Sequence, residues 1–289
     1  MALLLSRSAL RSLDAVPRIA EQVTASGDLS ARVPEPGGGG ELARLGHTFN
    51  SMLTRLQAFR QRETEFTRHA SHELRTPLTA LRAHPDANKQ GWVTDAEVLR
   101  TADVQVERLT RLTSALLLLS RENRVLKTTF DLGARAWSVT EYPDAAYRGP
   151  DSLRWTGNET LITQALENLL RNAQRHAPSA KVTVTLNVQD GQLQLAVEDN
   201  GAGVPAEALC HLGEPFYRAP GTVVSGSGLG LAVVRRIAEV HGGQLLISAA
   251  PPHGLRVALS FPHGQGSKDG DTRQPATSYH DGGRLRCPG

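Results

Sequence analysis

Three side chains that could do chemistry stand close together in the segment Ser71-His72-Glu73-Leu74-Arg75-Thr76-Pro77-Leu78. A neutral imidazole such as that of His72 is a good nucleophile near neutral pH. The adjacent carboxylate of Glu73 can orient the ring and accept its proton. Thr76 follows on the same exposed part of a helix, which Pro77 must bend. A histidine beside a glutamate alone favours the simpler interpretation of a solvated helix face.

A second polar group lies on a predicted helix at residues 159–176. Four polar side chains share one face of this helix, opposite the apolar residues Leu169, Leu170 and Ala173. Such a face needs a polar ligand or water, so a binding site and a solvated amphipathic helix both remain open. The four side chains are Asn168, Asn172, Arg175 and His176.

Two glycine-containing segments could approach a ligand closely. Asp199-Asn200-Gly201-Ala202-Gly203 directly follows a predicted strand, and the Asp199 carboxylate can accept a hydrogen bond from an amine. Gly226-Ser227-Gly228-Leu229-Gly230-Leu231 leads into a helix, whose free N–H groups and positive end suit phosphate. Each segment is weak by itself, because the first is typical of a turn and the second is not the dinucleotide fingerprint.

Long amphipathic helices precede these segments and must position the first of them. A first helix is predicted to end at Gly27. A heptad stripe from Leu42 to Leu81 is typical of a coiled-coil seam, and it ends at Pro85 before a polar stretch. Thr94 and Glu97 form a capping box that begins another long helix. The last two helices predict an antiparallel hairpin, two copies of which would form a four-helix bundle.

The pattern changes near Phe130 to short β-type runs that alternate with helices. This alternation predicts an α/β domain that closes at Pro262. Beyond Pro262 the chain is rich in Gly, Ser, Asp and Pro without an apolar period, which predicts a disordered tail. The predicted strands are 181–188, 192–197, 244–248 and 255–261, and the predicted helices are 159–176 and 229–241.

Charge and hydropathy exclude some classes of partner. The net charge of +3 could favour nucleic acid, but the basic residues are scattered among acidic ones and form no stripe interleaved with aromatic residues. We therefore expect no nucleic-acid partner. The apolar run from Ala2 to Leu5 is too short to span a bilayer, yet with Arg7 it also fits the last turn of a membrane helix.

The octapeptide around His72 resembles the phosphoacceptor box of bacterial two-component sensor histidine kinases. This resemblance implies that His72 takes a phosphoryl group and that Glu73 is its base or orienting partner. It also implies that Thr76 positions the water that removes phosphate from a partner protein.

The other segments are similar to the nucleotide-binding motifs of the kinase, gyrase, heat-shock chaperone and mismatch-repair ATPase superfamily. By this resemblance Asn172 would hold Mg²⁺, with Asn168 supporting the metal or its waters. Arg175 and His176 would face the phosphates of ATP, and Asp199 would bind the exocyclic amine of adenine. The ATP-binding residues so implied are Asn168, Asn172, Arg175, His176, Asp199, Gly201, Gly203, Arg218, Gly226, Gly228, Leu229 and Gly230.

The segment Glu214-Pro215-Phe216-Tyr217-Arg218 and the loop after it look like the lid of this ATPase family. Phe216 and Tyr217 would anchor the lid, and Arg218 would lie near the phosphates. Gly213 replaces the phenylalanine that the family usually has before the lid, which predicts a looser lid. The polar stretch after Pro85 is a second departure, which predicts an altered hairpin tip.

The resemblance covers residues 9–262, and it includes a linker with Gly-Asp-Leu and Phe-Asn-Ser-Met signatures that looks like a HAMP relay. It implies a multidomain α and α+β fold, in which a helical linker and a dimeric four-helix bundle precede an α/β sandwich. The implied parts are the end of a truncated membrane segment at 1–8, a HAMP-like linker at 9–60, a dimerisation and phosphoacceptor domain at 61–124, an ATP-binding catalytic domain at 125–262 and a disordered tail at 263–289.

The implied function is that of an ATP-dependent protein-histidine kinase with Mg²⁺ as metal cofactor. It would autophosphorylate His72, pass the phosphoryl group to an aspartate of a response regulator receiver domain, and also act as phosphatase of that regulator. We expect a homodimer that joins the membrane through a further N-terminal segment, at the cytoplasmic side of the bacterial inner membrane, whereas this chain alone is expected to be soluble. The alternatives are a catalytically silent dimeric scaffold and an ATPase of the chaperone or mismatch-repair type.

Overall fold

The computed structural model describes residues 15–34, 41–89, 94–120, 125–138, 145–222 and 226–263, with the backbone alone for residues 42 and 84–89. The chain divides into two compact units, Met1–His72 and Glu73–Gly289. The predicted tail after residue 263 lies outside the described residues.

The first unit contains helix α1 (15–26), a short connection, and the first part of helix α2 (Glu41–Lys89). Gly27 ends α1 with φ +69°, and its N–H donates to the carbonyl of Val23 at 2.9 Å, as a helix end with glycine does. The prediction that this helix ends at Gly27 is confirmed. The small core of the unit comprises Ile19, Leu29, Val33 and Leu53.

An asparagine side chain fixes the connection between the two helices of this unit. The N–H of Val33 donates to Oδ1 of Asn50 at 2.9 Å, and Nδ2 of Asn50 donates to the carbonyl of Val33 at 3.0 Å. Asn50 therefore satisfies both backbone groups of a residue that is itself buried, so the connection is fixed at this point.

Helix α2 is a single helix of 49 residues, as the heptad stripe predicts for most of its length. It continues through Pro77 and Pro85 and ends at Lys89. The apolar stripe stops at Pro85, but the helix continues beyond it. A proline removes only its own N–H donor, so the residues after it can still donate to carbonyls one turn back.

Helix α3 (Asp95–Ser120) begins at the predicted capping box. The N–H of Thr94 donates to the Glu97 carboxylate at 2.8 Å, and the N–H of Glu97 lies 3.3 Å from the hydroxyl oxygen of Thr94. This reciprocal pair confirms the box. Leu112, Ala115 and Leu118 are buried in the same core as the α/β domain that follows.

A five-stranded sheet forms the centre of the α/β domain, in the order β2-β4-β5-β7-β6. Only β2 and β4 pair in parallel, and the other neighbours are antiparallel. The α/β fold predicted from the sequence is confirmed. The strands are β2 (Ala145–Arg148), β4 (Val182–Gln189), β5 (Gln192–Asp199), β6 (Gln244–Ala249) and β7 (Leu255–Pro262).

Two long helices bury their apolar faces against this sheet and against each other, which makes the second layer of the sandwich. They are α5 (Glu159–His176) and α7 (Gly230–Val240), close to the predicted bounds. The shorter elements were not predicted, because strands of four residues and helices of four to six are too short for a periodic signal. They are β1 (Thr128–Asp131), α4 (Leu132–Trp137), β2, β3 (Arg154–Gly157) and α6 (Ala206–Leu209).

Candidate nucleotide site

The apolar face of helix α5 is buried in the core, so its polar face is the one that remains available to a ligand. Asn158 caps its N-terminus, where Oδ1 accepts the N–H of Leu161 at 3.0 Å. Asn168, Arg171 and Asn172 are half-buried, whereas Arg175 is exposed. The buried apolar residues of the helix are Ile162, Ala165, Leu166, Leu169, Leu170 and Ala173.

The carboxylate of Asp199 lies at the end of β5 and is held by the turn that follows. Its Oδ1 accepts the N–H of Gly201 at 2.9 Å. A Cβ at Gly201 would lie 2.5 Å from the Cβ of Ala177, so a larger residue cannot fit without displacing the end of α5. Gly203 adopts φ +72° beside the backbone of Gly254, a conformation that favours glycine.

The glycine-rich segment before α7 is joined to the lid by main-chain contact. The N–H of Phe216 donates to the carbonyl of Gly228 at 3.1 Å. A Cβ on Gly228 would come within 2.7 Å of the Phe216 backbone, and Gly228 has φ +69°. No side chain caps α7, which leaves its first N–H groups for a ligand or water.

These elements surround a cavity of about 720 Å³, which lies within the usual range of small-molecule sites. Gly201 does not line it but supports Asp199, which does. Leu229 lines the cavity although it is only 2% exposed. The other predicted ATP-binding residues in the wall are Asn168, Asn172, Arg175, His176, Gly203, Arg218, Gly226, Gly228 and Gly230.

The structure places fewer residues of the predicted phosphoacceptor segment in the cavity wall. Glu73 lines the same cavity, whereas Thr76 is not among the lining residues. His72 belongs to the first compact unit and Glu73 to the second. The structure therefore brings the predicted nucleotide-binding residues together, and the roles of His72, Glu73 and Thr76 stay predictions.

Several of the positively charged residues that line the cavity lie close to one another. Loss of surrounding water and the charges of Arg171 and Arg175 lower the pKa of Arg111, although Glu107 partly opposes this effect. Loss of water and the neighbouring guanidinium groups of Arg175 and Arg218 likewise lower the pKa of His176, with Asp199 acting in the opposite direction. A site with this excess of cations favours an anionic ligand such as a polyphosphate.

Three family models match the chain in consecutive order. Residues 4–58 match the HAMP domain, residues 62–124 match the His Kinase A (phospho-acceptor) domain, and residues 157–265 match the histidine kinase-, DNA gyrase B-, and HSP90-like ATPase. This chain belongs to the bacterial two-component sensor histidine kinases. The α/β domain that carries the cavity is therefore the ATPase-type domain of a sensor kinase.

Individual relatives agree with this family. The sensor protein QseC of Escherichia coli K12 is 34% identical over 240 residues, which are 76% of this chain and 52% of QseC. The signal transduction histidine-protein kinase/phosphatase MprB of Mycolicibacterium paratuberculosis is 31% identical over 287 residues, which are 89% of this chain and 53% of MprB. The sensor kinase chain thus spans about half the length of these curated relatives.

Solved structures have the same architecture. The histidine kinase AdeS of Acinetobacter baumannii superposes with a TM-score of 0.56 at 25% identity, over 66% of this chain and 97% of AdeS. The histidine kinase ThkA, solved in complex with the response regulator protein TrrA, has a TM-score of 0.55 at 22% identity, over 73% of this chain and 66% of that one. The ThkA comparison shows the fold alone.

Sequence reasoning missed several residues of this sensor kinase site. Arg108 and Arg111 of α3 and Arg171 of α5 line the cavity. The two arginines of α3 follow the usual pattern of a polar helix face, so only the packing of α3 on α7 shows that they reach the cavity. Within the described ranges, no helix combines the length and the apolar character that a membrane crossing requires.

Gly213, where the sequence departs from the family, is buried at the entrance to the lid. It adopts φ +93°, and a Cβ there would lie 3.1 Å from the guanidinium of Arg235. That guanidinium donates to the carbonyl of Leu212 at 3.0 Å and so joins α7 to the residues before the lid. The looser lid expected from the sequence stays a prediction.

Proposed function

We propose that this sensor kinase binds ATP in the cavity and transfers its γ-phosphoryl group to His72. The observation that carries the proposal is that all but one of the predicted ATP-binding residues line a single cavity, although they come from α5, β5, the lid and the start of α7. The family matches support it, because a phosphoacceptor domain precedes an ATPase domain in the same chain.

The cavity has a distinct place for each part of ATP. Asp199 accepts a hydrogen bond from the exocyclic amine of adenine with an orientation set by Gly201. The phosphates lie towards the first N–H groups of α7, which carry the positive end of the helix dipole. Arg175 and Arg218 line the same cavity and add positive charge to that of the helix end.

Mg²⁺ fits the side chains on the polar face of α5. Asn168 and Asn172 are half-buried and both line the cavity, so their amide oxygens are hard ligands beside the place of the phosphates. Mg²⁺ is commonly bound by one or two protein ligands with substrate phosphates and water, so a large cluster of acidic residues is not needed. When bound, the ion neutralises charge on the phosphates.

The transfer itself needs few protein groups. One imidazole nitrogen of His72 forms the N–P bond as the bond from the γ-phosphorus to the bridging oxygen breaks, and ADP leaves with the bonding electron pair. The proton on the other imidazole nitrogen passes to the Glu73 carboxylate. Catalysis in phosphoryl transfer rests mainly on positioning and on stabilisation of charge, which this set of residues can provide.

The next step passes the phosphoryl group from His72 to an aspartate of a response regulator receiver domain. The match of residues 62–124 to the His Kinase A (phospho-acceptor) domain supports this step. The description of MprB as a kinase/phosphatase supports a second activity, in which Thr76 positions water to dephosphorylate the regulator.

The chain acts as a homodimer through the helices that flank His72, and the full-length protein is anchored to the membrane by a further N-terminal segment. Exposed apolar side chains at Leu78, Leu99 and Val106 support the dimer, because they suit the interior of a helical bundle. The proposed domains are 9–60, 61–124 and 125–262, and the order of the three family matches supports this division.

Incubation of the purified chain with Mg²⁺ and labelled ATP tests the proposal. Label should appear on the protein, survive alkali and be lost in acid, as a phosphoramidate does. His72→Gln should abolish labelling and leave the affinity for ATP within about twofold, whereas the matched control His69→Gln, one turn earlier in α2, should retain it. Labelling that persists in His72→Gln would contradict the assignment.

A further inference from the structure

Glu73 of α2 and Arg108 of α3 form an ion pair in the wall of the nucleotide cavity. Nη2 of Arg108 donates to Oε2 of Glu73 at 3.2 Å, and the two side chains are 38% and 25% exposed. Both residues line the cavity together with Asn172 and Gly228. The residue proposed as the base for His72 is therefore bound to a cation that shares a cavity with the proposed phosphate site.

Arg108 belongs to a larger group of cations, which we name the arginine cluster. Its members influence one another, since Arg171, Arg175 and Arg108 all lower the pKa of Arg111. Such repulsion is relieved when a multiply charged anion binds among the guanidinium groups. The cluster comprises Arg108, Arg111, Arg171 and Arg175, and all four line the cavity.

The pair also affects the chemistry expected of Glu73. A carboxylate that accepts a proton from an imidazole must present an oxygen lone pair to it. In the structure the guanidinium of Arg108 donates to Oε2, which fixes the orientation of the carboxylate. The same guanidinium forms favourable bidentate contacts with phosphate oxygens, so the carboxylate and the polyphosphate are alternative partners.

We propose that Arg108 is a positioning residue that holds Glu73 in the nucleotide-free kinase and moves to the phosphates when ATP binds, which releases the carboxylate. The inference rests on the proposed function and adds a restraint that couples ATP binding to the availability of the base. The Glu73 carboxylate and the ATP phosphates therefore compete for the guanidinium of Arg108. Part of the energy of the phosphate contact is used to break the Glu73–Arg108 pair, so removing the Glu73 charge should tighten ATP binding.

Calorimetric titration of the full chain with a non-hydrolysable ATP analogue tests this competition. Ion pairs of this exposure contribute up to about 1 kcal/mol, so Glu73→Gln should tighten binding of the analogue by about twofold to fivefold. Adenosine has no phosphates, and its affinity should not change. The matched control is Asp103→Asn, which removes one negative charge from an exposed position of α3 outside the cavity wall and should leave both affinities unchanged.

Variants of Arg108 separate a positioning role from general stabilisation. Arg108→Ala should weaken binding of the analogue, and adding Glu73→Gln to it should give no tightening, because the released partner is absent. Arg108→Lys retains the charge, so Glu73→Gln should still tighten binding in that background. Equal affinities for the analogue in the parent chain and Glu73→Gln would overturn the proposal, as would tightening that also occurs for adenosine or without Arg108. Absence of analogue binding in the parent chain would instead overturn the proposed function, and the inference with it.

Discussion

Nε2 of His241 accepts a hydrogen bond from the backbone N–H of Asn158 at 2.9 Å, which joins the C-terminal end of α7 to the N-terminal end of α5. Nδ1 lies 2.7 Å from the carbonyl of Ile237 and must be the protonated nitrogen, because a carbonyl only accepts. His241 is 7% exposed, and its ring packs against Trp155 and Phe261 at centroid distances of 5.4 and 6.0 Å. The neutral imidazole thus connects the two helices that form the cavity.

This connection makes the stability of the domain sensitive to acid. Burial lowers the pKa of His241 below its ordinary value of 6.5, with the bond to Ile237 partly opposing it and Lys127 adding to it. The unfolded chain therefore binds the proton first, so stability is complete above about pH 6.5 and decreases as the pH falls below that value. We expect a slope of at most about 1.4 kcal/mol per pH unit from this one proton.

Urea unfolding between pH 5 and pH 8 measures the effect. His241→Gln should be less stable at pH 8 and should lose part of the dependence on pH, since His176 has a lowered pKa and contributes in the same direction. The exposed His253 supplies a matched control, and His253→Gln should keep the parent slope. If the stability of His241→Gln depended on pH as strongly as that of the parent chain, His241 would not be a source of the acid sensitivity.

Asp199→Asn should weaken ATP binding by about tenfold to a hundredfold, the scale of an unpaired polar group in a binding site. An amide presents a donor where the adenine amine needs an acceptor, while its Oδ1 can still accept the N–H of Gly201. Calorimetry of the variant gives the affinity directly. Asp190→Asn, at the exposed turn before β5, is the matched control and should bind ATP like the parent. Unchanged affinity in Asp199→Asn would remove the adenine role.

Asn172→Ala should reduce autophosphorylation by roughly a hundredfold or more, because a lost metal ligand removes charge stabilisation in the transition state. Nucleotide affinity measured in EDTA should change much less, since the metal is absent from both samples. The exposed Gln174 on the same helix provides the control Gln174→Ala, which should retain activity. A large loss of affinity in EDTA would indicate a structural role for Asn172.

Thr76→Ala should keep most autophosphorylation and lose dephosphorylation of the regulator, whereas Glu73→Ala should chiefly impair autophosphorylation. The two residues are three positions apart on α2 and therefore share a face, but a base and a hydroxyl act on different reactions. Rates of both reactions are compared in Thr76→Ala and Thr76→Ser. Equal loss of both in Thr76→Ala would mean that Thr76 merely satisfies backbone carbonyls near Pro77.

Local signals predict much of this fold. Helix α5 has its predicted bounds because its apolar period is regular along its whole length. The position of Asp199 at a strand end follows from the run of alternating residues in β5. The apolar stripe does not show where α2 ends, because the stripe stops at Pro85 whereas the helix continues to Lys89.

The site is predictable only where a residue and its role lie in one motif. Arg108 and Arg111 reach the cavity because α3 packs on α7, more than a hundred residues away, and no local pattern records such a contact. Gly201 is the opposite case, because it was predicted to bind ATP but does not line the cavity. The turn after Asp199 places it against Ala177, where a side chain on residue 201 would collide with the Cβ of Ala177.

The hydrogen bond from Phe216 to Gly228 closes the lid loop at its base, so the two ends of the loop are fixed independently of its tip. The entropy of closing a loop grows only with the logarithm of its length, and each doubling costs about 0.6 kcal/mol. Gly221 is exposed, and a Cβ added there would meet no heavy atom of the described residues within 4 Å. The loop is therefore suited to insertions. A small fluorescent reporter placed after Gly221 would extend the tip while the ring of Phe216 and the start of α7 keep their places.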